Sequence, residues 1–79
     1  MDYVLAFEST HKAIAAQAVF TAAGRRFALI PTPRHITAGC GMSLKFAADS
    51  EEAAQEWLDL LMRETGDVDA ARLYAQMVM

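Results

Sequence analysis

One side chain in this sequence can act as a strong nucleophile near neutral pH: Cys40, the only cysteine among 79 residues. It lies between Gly39 and Gly41, at the end of the run Pro31-Thr32-Pro33-Arg34-His35-Ile36-Thr37-Ala38. The thiolate is the reactive form, and its pKa falls from about 8.5 toward 7 or below beside cations and helix N-termini. Two prolines fix φ and drive the residues before them toward extended backbone, so the run is neither a regular helix nor a regular strand. Glycines on both sides leave backbone N–H groups bare, as in loops that bind anions or hold reactive sulfur. A lone cysteine is often a small buried hydrophobe, but such a residue has little use for bare backbone on both flanks.

The charge distribution points the same way. From Ser9 to Ala48 there is no acid, and the span carries Lys12, Arg25, Arg26, Arg34 and Lys45 with His11 and His35. The rest of the chain holds all ten acids against Arg63 and Arg72. The basic residues are spread out and few aromatics interleave with them, which argues against a nucleic-acid surface. A local positive potential around a small anionic site fits better. A single thiol excludes an intrachain disulfide and suits a reducing compartment. The N-terminus lacks the basic region and apolar run of a signal peptide, and no stretch has the roughly 18–20 apolar residues of a membrane span. The expected location is cytoplasmic, with no membrane partner.

The elements that must position this loop follow from periodicity. Tyr3 to Phe7 alternates as a strand. Ser9 and Thr10 offer a hydroxyl cap for an alanine-rich helix from Lys12 to Ala23, with Ile14, Ala18 and Ala22 as its stripe, widened by Val19 and Phe20, and Gly24 as its stop. Arg26 to Ile30 is a second strand ended by Pro31. Met42 to Phe46 is a third, with Met42, Leu44 and Phe46 toward a core and Ser43 and Lys45 away from it. Asp49 with Glu52 reads as a capping box for a second helix that buries Ala54, Trp57, Leu58 and Leu61 and ends near Gly66. Residues 71–77 fit a strand or a helix locally. A strand completes the sheet, so residues 1–79 are expected to form one α+β domain, a ferredoxin-like βαββαβ sandwich with a four-stranded antiparallel sheet and two helices on one face. In that topology the first two strands run parallel. The loop after the first, with Ser9, Thr10, His11 and Lys12, should then emerge beside the cysteine loop.

The motif Pro31-Thr32-Pro33-Arg34, then Ile36-Thr37, then Cys40-Gly41, resembles the signature of the DUF3343 family of selenium/sulfur carrier-like proteins. The opening Tyr3-Val4-Leu5-Ala6-Phe7-Glu8-Ser9-Thr10-His11 is also similar to the start of that family. The resemblance implies a small carrier, with Cys40 as the nucleophile holding sulfur or selenium as a persulfide or perselenide. It implies donor and acceptor proteins as partners and no cofactor. In this reading Lys12, His11 and the first-helix N–H groups stabilise the anion. Pro33, Gly39 and Gly41 shape the loop, Arg34 offers a charge or fixes the loop through a backbone carbonyl, and Thr37 donates a hydrogen bond. His35 stands where the family commonly has an acid, and Ala38-Gly39 where it has small hydroxyl residues. The Cys-Pro motif of other sulfur carriers is absent.

Three other chemistries compete. His11, His35 and Cys40 could converge on zinc, but no pair of them has a familiar ligand spacing, so no metal is expected. A Cys–His enzyme lacks an orienting carboxylate between Ser9 and Ala48, so an independent enzyme is not expected. The remaining alternative is a non-catalytic interaction or regulatory module with a structural cysteine. Val4, Ala6 and Tyr74 would then lie on an open sheet face, compatible with a homodimer through that face or a terminal strand.

Overall fold

Alternation over Asp2–Ala6 gives the first strand, β1, with Tyr3 and Leu5 on one face and Val4 and Ala6 on the other. The computed structural model describes residues 1–36, 39 and 41–75. Along these residues β1 is followed by helix α1 (Thr10–Ala22), β2 (Ala28–Pro31), β3 (Met42–Ala47), helix α2 (Glu51–Thr65) and β4 (Arg72–Ala75). The sheet is antiparallel throughout, in the order β2-β3-β1-β4. This is the expected ferredoxin-like βαββαβ arrangement, and the ambiguous C-terminal segment supplies the fourth strand.

The main core forms between the sheet and the helix pair. Tyr3, Leu5, Phe7, Leu44 and Phe46 meet Ala13, Ala16 and Phe20 of α1 and Ala54, Trp57 and Leu61 of α2. Trp57 stacks on Phe46 at 4.0 Å between ring centroids and tilts against Phe20 at 4.9 Å. The Arg25 guanidinium covers the Trp57 ring at 5.0 Å, so this cation of the basic span is spent on the core's edge.

Several local expectations shift. The buried stripe of α1 is Ala13, Ala16 and Phe20; Ile14 is 59% exposed, and Ala18 and Ala22 face solvent. A helix that is apolar nearly all round has no single stripe to read, so the tertiary contact chooses the face. Ser9 caps this helix, its Oγ accepting from the Lys12 N–H at 3.3 Å. In α2 the cap is Ser50 rather than Asp49, its Oγ accepting from Ala53 N–H at 3.1 Å. Gly24 and Gly66 take positive φ after their helices, as expected.

On β3 the outcome is reversed at two positions. Met42 is 41% exposed, and Ser43 is fully buried. The Ser43 hydroxyl lies 2.8 Å from that of Thr32, so its burial leaves no polar atom unmet. The face expected to be open is covered as well. Ile36, from the cysteine loop, is buried against Val4 and Ala6, with Ile30 and Tyr74 beside it. Truncating it should uncover that face. Ile36→Ala is expected to lower the unfolding free energy by about 2 kcal/mol, read from urea denaturation.

Candidate functional site

The sheet register collects the site at one end. Ala6 pairs with Ser43 on one side and Arg72 on the other, and Ser43 pairs with Ile30. The exits of β1 and β2 and the entries of β3 and β4 therefore share one edge of the sheet. The connection from β1 into α1 and the loop from β2 to β3 emerge together, as the topology required.

The loop is tied down at several points. At its base the Thr32 N–H donates to the Gly41 carbonyl at 2.9 Å. A turn follows, closed by the Ile36 N–H donating to the Pro33 carbonyl at 3.0 Å. Ile36 anchors it to the sheet. Gly39 then runs so close to the β1–α1 connection that a Cβ added there would overlap the Glu8 carbonyl. Glycine at this position is a requirement of space. Gly41 is different, for a Cβ there would meet nothing within 4 Å.

Pro33 is half-buried, and Arg34 and His35 on the turn are exposed. Cys40 and Thr37 lie outside the described residues. Lys12 reaches across to the connection between α2 and β4. Its Nζ donates to the Asp69 carbonyl at 2.8 Å and lies 3.3 Å from Asp67 Oδ2 and 3.6 Å from Glu8 Oε2. Its charge is thus met by two carboxylates and a carbonyl at the same edge where Gly39 lies. His11 is exposed beside a small cleft that it forms with Ala15, Leu61, Thr65 and Asp67. No group of three metal-ligating side chains occurs among the described residues.

The acids of this edge are the part that the sequence reading did not single out. Asp67 Oδ1 accepts from the Asp69 N–H at 2.9 Å, an Asx turn whose Asp-x-Asp spacing is visible in the sequence. That hydrogen bond, opposed by desolvation and joined by Lys12, holds the Asp67 carboxyl below its ordinary pKa. For Lys12, partial desolvation lowers the pKa, but the hydrogen bond to Asp67 and the charges of Asp67, Glu8 and Asp69 outweigh it, and the net shift is upward. Glu8, Gly39, Asp69, Ala71 and Arg72, with Ala6 and Phe7, line a cleft of about 340 Å³ at the end of β1.

A family model described as "Putative Se/S carrier protein-like" matches residues 2–60, a span that includes the whole loop. No curated protein and no solved structure matches the chain. Among the described residues no helix is long and apolar enough to cross a membrane.

Two outcomes follow from this geometry. Gly39→Ala should cost about 1–3 kcal/mol by forcing the loop off Glu8, and Gly41→Ala should be close to neutral; chemical denaturation of both variants reads the contrast. Asp67 has a lowered folded-state pKa, so its contribution to stability is present above the unfolded-state value and is lost as pH falls through the folded one. The stability gap between the native protein and Asp67→Asn should therefore hold at neutral pH and close in acid, measured by urea midpoints across a pH series.

Proposed function

We propose that this chain, which belongs to the Se/S carrier-like family, carries sulfur or selenium as a persulfide or perselenide on Cys40. The observation that supports this most is that the only cysteine falls within the matched span and within a loop anchored on both sides of it. Gly39 is seated on Glu8, and the Gly41 carbonyl is bonded to Thr32. A carrier needs a thiolate that is accessible and reproducibly placed, and it needs no substrate pocket of enzymatic size. In this reading Cys40 attacks an activated donor, holds the terminal atom, and passes it to an acceptor protein.

The side chains take unequal parts. Arg34 is exposed on the loop and makes no ion pair among the described residues, which leaves its charge to meet an anionic donor or acceptor surface. Lys12 supports the edge through its acids, which offset its charge there. His11 contributes as an exposed group at the first turn of α1. Thr37 serves as a hydroxyl donor from within the loop. Residues 1–79 act as one domain, without a cofactor or an independent catalytic constellation, in a reducing compartment such as the cytoplasm.

The test is loading followed by mass spectrometry of the intact protein. Incubation with a sulfur-donating desulfurase should add the mass of one sulfur atom to the native protein and none to Cys40→Ser, with the circular dichroism of the two unchanged. Alkylation of Cys40 across a pH series should show an apparent pKa below about 8.5. A thiol that alkylates slowly at every pH and takes no sulfur would sink the carrier reading and favour an interaction module with a structural cysteine.

A further inference from the structure

The cleft at the end of β1 has a chemistry that the carrier reading does not use. Its walls form where β1 and β4 part after the Ala6–Arg72 pair. Phe7 and Glu8 continue on one side, Asp69 and Ala71 lie on the other, and Gly39 closes it from the loop. At about 340 Å³ it is at the small end of the range for small-molecule sites. Arg72 and Asp69 both line it. They do not pair with each other, and neither side chain makes an ion pair among the described residues. Glu8 adds a second carboxylate, shared with Lys12 at 3.6 Å.

A cation and an anion that line one small cleft, with no ion pair among the described residues, are complementary to a ligand bearing both charges. We propose that this cleft binds a free α-amino acid carrying sulfane sulfur, cysteine hydropersulfide, as the donor that loads Cys40. The ligand's carboxylate would meet Arg72, and its ammonium would meet Asp69 and Glu8. Gly39 lines the cleft and directly precedes Cys40 in the chain, so a donor held there lies beside the residue next to Cys40. The inference rests on the carrier reading and adds a small-molecule donor to it.

The transfer balances without an oxidant. The Cys40 thiolate attacks the terminal sulfur of the hydropersulfide. A sulfur–sulfur bond forms to Cys40 as the donor's internal one breaks, and the terminal sulfur keeps its hydrogen. Cysteine leaves as thiolate and takes up the proton that Cys40 had released. One sulfane sulfur changes hands, and no net oxidation occurs.

The test compares three donors on the full chain by the initial rate of sulfur gain in intact-mass spectra: cysteine hydropersulfide, the hydropersulfide of 3-mercaptopropionate, which lacks the ammonium group, and inorganic polysulfide. Cysteine hydropersulfide should load about tenfold faster than the desamino compound, a difference of about 1.4 kcal/mol. Asp69→Asn should remove most of that advantage, whereas Arg72→Gln, at the carboxylate that both organic donors carry, should slow the two about equally relative to inorganic polysulfide; both positions are exposed. Equal rates from both organic donors, an advantage that survives Asp69→Asn, or organic-donor rates that Arg72→Gln leaves unchanged would overturn the cleft assignment while the carrier reading stands. Failure of all three donors to load Cys40 would overturn both.

Discussion

The central strand β1 is buried on both faces, and most of the structure answers to that constraint. Tyr3, Leu5 and Phe7 need cover on one side of the sheet, and Val4 and Ala6 need it on the other. The two helices supply the first cover through an aromatic cluster around Trp57. Nothing in a βαββαβ chain supplies the second unless a loop does so. Here the loop from β2 to β3 turns at Pro33–Ile36 and lays Ile36 on Val4 and Ala6. A segment that carries the candidate chemistry is thereby also a piece of the core, and hydrophobic burial opposes its displacement.

That arrangement accounts for the polar economy of the same region. Ser43 is carried inward on β3 by the strand's alternation, and Thr32 at the base of the loop meets its hydroxyl. The Thr32 backbone N–H is bonded to Gly41, so one residue fixes the loop's two ends and satisfies a buried partner. Gly39 completes the constraint from the far side, where only bare backbone fits beside Glu8.

Electrostatics at this edge depend on the fold more than on the linear charge pattern. The acid-free span from Ser9 to Ala48 suggests a positive loop region. Folding brings Glu8, Asp67 and Asp69 from outside the span onto Lys12, and Arg25 lies over Trp57. Lys45 lies 3.7 Å from Asp2, so three of the five cations are engaged in this way, and the edge beside Gly39 becomes mixed in sign. Lys12 acts there as a clasp between the start of α1 and the turn before β4, bringing the fourth strand's entry next to the loop.

The features legible in the amino-acid order alone are local and periodic. Alternation in Tyr3–Phe7 and Met42–Phe46, the capping residues Ser9 and Thr10 ahead of the first helix and Asp49 ahead of the second, and Gly24 and Gly66 behind them specify the order of elements. The prolines and glycines around Cys40 mark the loop, because these residues impose backbone limits wherever they occur. Tertiary structure decided what local pattern could not carry. It chose Ala13, Ala16 and Phe20 over Ile14 and Ala18 in a helix where nearly every face is apolar, and it covered the sheet face that Ser43 shares with Ala6 while leaving Met42 exposed. It also gave Ile36 a partner face, seated Gly39 on Glu8, and brought Asp69 and Arg72 to the cleft that Gly39 lines. Each of these depends on residues about thirty to sixty positions apart meeting across the sheet, and a contact between distant residues leaves no period in the chain to be read.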